Sequence, residues 1–84
     1  MSYATALHVL KSNPSAVIRH ELPDPFGSGL KGEYLAIIDD SGAQLLQIDR
    51  PTADELARAG HVKADPFNER TRSYTYRQVD APAN

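Results

Sequence analysis

Two histidines stand at the same distance from an Asp-Pro-Phe triplet: His20-Glu21-Leu22-Pro23-Asp24-Pro25-Phe26 and His61-Val62-Lys63-Ala64-Asp65-Pro66-Phe67. Imidazole and carboxylate are ligand types for zinc and other divalent ions. Convergence of His20, His61, Asp24 and Asp65 would therefore make a two-His, two-Asp site. The spacing argues otherwise. No H-E-x-x-H occurs, and no close histidine pair falls on one helix face. We read the echo as two Asp-Pro turns, each with a phenylalanine anchored in the core; four shared positions are few for a duplicated unit. On that reading His20 belongs to a strand face and His61 to a helix C-terminus, where the dipole favours imidazolium. Neither a metal nor a cofactor is expected.

Nucleophilic chemistry has less support. There is no cysteine and no G-x-S-x-G, and Gly27-Ser28-Gly29 lies in a loop, not at a strand-to-helix elbow. The same loop lacks the Gly-Lys-Ser/Thr ending of a phosphate-binding loop. Asp39-Asp40 could face a cation, but adjacent acids at a hairpin tip are ordinarily solvated.

The C-terminal run Arg70-Thr71-Arg72-Ser73-Tyr74-Thr75-Tyr76-Arg77-Gln78 carries the clearest recognition chemistry. Strand alternation puts Arg72, Tyr74, Tyr76 and Gln78 on one face and Thr71, Ser73, Thr75, Arg77 and Val79 on the other. If exposed, the tyrosine face would offer stacking platforms beside an arginine, as single-strand nucleic-acid binders use. It would serve equally as an interface hot spot, where Tyr and Arg are enriched. The bland alternative is core bulk beneath a helix. Arg70, Arg72, Tyr74, Tyr76 and Arg77, with Asp39 and Asp40, are the candidate partner-binding residues.

The elements that must position these groups follow from periodicity and punctuation. Tyr3, Ala6, Leu7 and Leu10 recur at helical spacing, Ser2 can cap, and Asn13-Pro14 stops the helix. Residues 16–22 alternate as a strand, and 23–32, with two prolines and three glycines, form a loop. Residues 33–49 form a hairpin turning at Asp39-Asp40-Ser41-Gly42, its first strand apolar on both faces and therefore central in the sheet. Thr52-Ala53-Asp54-Glu55 fits a capping box, with Thr52 as N-cap and Gly60 as the residue just past the helix end. A short strand at 61–64, a turn at Asp65-Pro66-Phe67-Asn68 and a last strand at 71–79 complete the order.

This pattern predicts one α+β domain over residues 1–79, with 80–84 a frayed tail. Its architecture is a small antiparallel sheet of three to five strands with one or two short helices packed on one face. A chain of 84 residues buries only about 60% of its unfolded surface, leaving little room for a deep catalytic cleft. Hydrophobic residues are 40% and charged residues 24%, too apolar for a disordered chain. The lack of cysteine, of a basic leader before residues 3–10 and of any bilayer-length apolar run leads us to expect a soluble, cytoplasmic protein.

Charge refines the function classes. The net charge of −2 gives no overall basic field for nucleic acid. Yet residues 33–55 hold six acids against Arg50, while 63–77 hold four bases against Asp65 and Glu69. An acidic middle followed by a basic end suits protein contact. The expected function is therefore a non-catalytic adaptor or inhibitor that docks on a larger protein or complex, with a homodimer also compatible. In size and composition alone it resembles small phage- or plasmid-encoded inhibitors of host defence, such as anti-CRISPR proteins. The alternative is a small nucleic-acid-binding or transcription-regulating module using the basic C-terminal hairpin.

Overall fold

The computed structural model describes residues 3–22 and 33–79. In chain order these are α1 (Tyr3–Ser12), β1 (Val17–Glu21), β2 (Tyr34–Ile38), β3 (Gln44–Gln47), α2 (Arg50–Arg58), β4 (Val62–Ala64) and β5 (Ser73–Gln78). The strands form one antiparallel sheet in the order β3-β2-β1-β5-β4, with both helices packed against it. The fold is α+β, as the sequence pattern predicts. The expected cap at Ser2, the loop at 23–32 and the tail at 80–84 lie outside the described residues, and so does Asp24.

Register explains the core. One face aligns Leu46, Ile37, Ile18, Tyr76 and Ala64 across all five strands. A second row on that face places His20 between Leu35 and Tyr74, with Ile48 bonded to Leu35 through its backbone. Against these rows the helices contribute Ala6, Leu10, Ala53 and Leu56, all almost fully buried. The other face carries Gln47, Ala36, Arg19 and Thr75 in one row and Ile38, Val17, Arg77 and Lys63 in the next. One face packs and the other is mostly polar, the usual division in an antiparallel sheet.

β1, paired on both edges, is the middle strand. β2 is interior too, which agrees with its apolar faces, but its hairpin partner β3 is an edge. A register shift between Ile37 and Ile38 leaves Leu45 as an extra residue in β3, and Leu45 is exposed.

Helix ends are tied down by named groups. The C-terminal carbonyls of α1 lack intrahelical donors, and the Gln78 amide supplies one. Its Nε2 donates to Leu10 O at 3.0 Å, Asn13 O at 2.8 Å and Ala16 O at 3.1 Å, joining β5 to the α1–β1 turn. Asn13 Nδ2 also donates to Val9 O at 2.9 Å. At the end of α2, Gly60 has φ +87°; its N–H reaches Ala57 O and that of His61 reaches Leu56 O, a Schellman closure.

The start of α2 corrects the sequence reading. The N-cap is Asp49, not Thr52: its Oδ1 accepts from Thr52 N at 3.0 Å, and Pro51 sits in the first turn. Proline is tolerated there because its missing N–H would have had no partner. That lets the helix begin three residues earlier and buries Thr52 on its inner side. Asp49→Ala should therefore lower stability by about 1 kcal/mol in urea melts. An unchanged midpoint would refute the cap.

Candidate functional site

Asn68 builds the turn between β4 and β5. Its Oδ1 accepts from Arg70 N at 3.0 Å and Thr71 N at 3.3 Å, while its backbone exchanges two bonds with Ser73. A short side-chain acceptor of this kind favours a turn over continued strand. The four residues between, Glu69 to Arg72, are exposed. Arg72 closes the turn at φ 51°, in the left-handed region that disfavours residues with a Cβ. Its carbonyl accepts from Leu22 N at 3.0 Å, which fixes the turn to the end of β1.

Behind this tip lies an aromatic group. The Phe67 and Tyr74 rings are 4.9 Å apart, and His20 lies 5.9 Å from Tyr74 and 6.4 Å from Tyr76. Tyr74 and Tyr76 are on the helix-side face and half-buried. Tyr76 packs against the core, and burial pushes its phenol above the ordinary tyrosine range. The tyrosines are thus neither an open stacking platform nor wholly sequestered.

His20 itself is buried, 6% exposed. Its Nε2 bonds Glu33 Oε2, and the same oxygen takes an Arg50 guanidinium N–H. An ionised carboxylate only accepts, so Nε2 carries a proton. Nδ1 is buried without a hydrogen-bond partner among the described residues. The relay joins β1, the start of β2 and the first residue of α2. Hydrogen bonds from Arg50 first, then from His20, hold the Glu33 carboxyl below the ordinary range. A depressed acid stabilises the fold above its unfolded pKa and ceases to do so as pH falls through the folded value. Glu33→Gln should accordingly flatten the acid limb of a stability–pH curve below about pH 4, although Asp39 and Asp49, also depressed, retain theirs. An acid limb identical to wild type would rule out this contribution.

A carboxylate-oriented imidazole resembles half of a general-base arrangement. Among the described residues no hydroxyl is hydrogen-bonded to the ring, and the relay ties β1, Glu33 and α2 together. Nor does any group of three or more His, Asp or Glu among the described residues come together to hold a metal ion. His20 pairs with Tyr74 whereas the His61 carbonyl takes Val79 N, five residues farther along the chain. At about 3.3 Å per strand residue, the two histidines belong to different ends of the sheet.

The sequence-derived candidates do not form one patch. Val17 pairs with Ile38 and Arg77, while Glu21 pairs with Tyr34 and Ser73. The Asp39–Gly42 turn is therefore at one end of the sheet and Arg70, Arg72 and Tyr74 are at the other. Asp39 is a structural brace: its Oδ1 accepts from Ser41 N at 2.9 Å, Ser41 Oγ at 2.7 Å and Ala43 N at 2.9 Å. Asp40 is exposed beside it. Arg77 lies on the face away from the helices, its Nε donating to Asp65 Oδ2 at 2.7 Å. Arg19, on that same face, donates to Glu21 at 2.8 Å. Arg70 and Arg72, by contrast, make no ion pair among the described residues.

Sequence reasoning missed Glu33 and Arg50 as partners of His20. The available signal was the histidine itself, flanked on its strand face by Ile18 and Leu22. A ring so placed needs a buried partner, though nothing in the spacing names which one. No helix among the described residues is long and apolar enough to cross a membrane. No family model, curated protein or solved structure matches the chain.

Proposed function

We propose that the protein is a non-catalytic docking module, an adaptor or inhibitor, that sets the β4–β5 tip against an acidic surface of a larger protein. The observation that carries this reading is the pair Arg70 and Arg72 on a braced, exposed turn. Among the described residues their guanidinium groups make no ion pair, while those of Arg19, Arg50 and Arg77 are each engaged by a carboxylate. Holding Arg72 left-handed costs energy that glycine would avoid, and a strained arginine on a rigid turn presents a preset charge. The Phe67–Tyr74 pair supplies an apolar shoulder behind it, matching the Arg-plus-aromatic chemistry of interface anchors.

Two carboxylate-neutralised arginines on the open sheet face weigh against nucleic acid as the partner, since phosphate binding draws on uncompensated cations. The test is affinity capture from the source cells with wild type, the R70E/R72E double variant and Asp40→Lys, read by mass spectrometry. Proteins retained by wild type and Asp40→Lys but lost from the double variant support the reading. Identical sets from all three baits contradict it.

A further inference from the structure

The two edges of the sheet are protected unequally. β4 is three residues long, carries Lys63, and runs into Asp65-Pro66, all devices that discourage strand addition. β3 is four residues long and bulged at Leu45, but it has neither a charge nor a proline. From Ala43 to Ile48 the chain holds no charge and no proline, and Leu45 is one of two large hydrophobics exposed among the described residues. Ile48 N–H points inward to Leu35 O at 3.1 Å, so strand alternation turns the Gln47 N–H and C=O outward, with no strand beside them among the described residues.

We infer that β3 pairs with β3 of a second copy, antiparallel about a two-fold axis through the middle of the strand, to make one continuous ten-stranded sheet. Antiparallel edges are self-complementary, so one two-fold pairing closes the assembly. Charge selects this occupant. Four charged residues flank β3: Asp39 and Asp40 before it, Asp49 and Arg50 after it. The Asp39 carboxylate accepts from the Ser41 and Ala43 amides and that of Asp49 from the Thr52 amide. Asp40 and Arg50 are left exposed at opposite ends of the strand, Arg50 59% so in its side chain despite its contact with Glu33. Antiparallel pairing of two copies brings the Asp40 end of each alongside the Arg50 end of the other, once at each end of the shared ladder. The opposite charges thus meet twice, and the uncharged centre sets no like charges against each other. This pairing is independent of the arginine tip, which lies at the other end of the sheet from the Asp39–Gly42 turn.

Sedimentation equilibrium over a wide concentration range tests it, with circular dichroism and melting as folding controls. Wild type is expected to pass from monomer to dimer and no further. Gln47→Pro removes an outward N–H that the monomer does not use, so it should fold and stay monomeric. Should that variant not fold, Leu45→Lys serves instead, since it alters an exposed side chain and charges the edge. Asp40→Lys should weaken the dimer about fivefold and reverse the sign of its dependence on salt. A wild type monomeric at every concentration overturns the inference. So do species larger than a dimer, variants that dimerise like wild type, or a β3 edge that pairs only when the tip's protein partner is added.

Discussion

Replacing Leu56 by alanine should remove about 2–5 kcal/mol of folding stability, the usual range for a fully buried leucine. Leu56 has no exposed surface and belongs to the same core cluster as Ile18 and Ile37. α2 has only nine residues and cannot hold its shape without that contact. At roughly 0.05–0.15 kcal/mol per residue, a chain of 84 residues has at most about 4–13 kcal/mol in total. The substitution therefore consumes a large share of it. Because Arg50 opens the same helix and bonds Glu33, loosening α2 should also release the relay to His20. Chemical denaturation checks the magnitude; a loss below about 1 kcal/mol would mean that α2 does not seal the core.

The second large effect concerns docking. R70E/R72E reverses both uncommitted cations at the tip without touching the core or the Asn68 turn bonds, which use backbone amides. Anchor residues of an interface lose about 2 kcal/mol or more on truncation, roughly thirtyfold in affinity, and charge reversal against an acidic surface exceeds that. Folding stability should change little. Binding of plain single- or double-stranded oligonucleotides should be weak, and it should vanish between low and physiological salt. Submicromolar binding that resists salt and is abolished by R70E/R72E would instead favour a nucleic-acid partner.

Local signals in the sequence survived into the structure where the physics is local. Tyr3, Ala6 and Leu10 mark α1, Gly42 and Gly60 fall at positive φ, and Asp39-Asp40-Ser41-Gly42 forms the expected turn. The α2 cap shows how two local signals compete. Thr52 and Glu55 match a capping box, but Asp49-Arg50-Pro51 also suits a helix start, and the earlier start gives Thr52 a buried place. Strand order was not legible, because the position of β1 between β2 and β5 depends on pairings with residues more than fifty positions apart. Alternation correctly put Tyr74 and Tyr76 on one face; only the sheet reveals that this face is the one beneath the helices. The His20–Glu33–Arg50 relay was invisible for the same reason. Its members are brought together by topology, and no spacing rule joins positions 20, 33 and 50.

The most direct test of the docking account is amide hydrogen exchange of the protein alone and in complex with the captured partner. In residues 67–74 the Arg70 and Thr71 amides bond only the exposed Asn68 side chain, so the tip should exchange faster than the central strands in the free protein and slow on binding. Protection centred on that segment, with β3 and the Asp39–Gly42 turn unchanged between the two states, is the predicted result. Protection that leaves 67–74 unaffected and falls on any other part of the surface would contradict it.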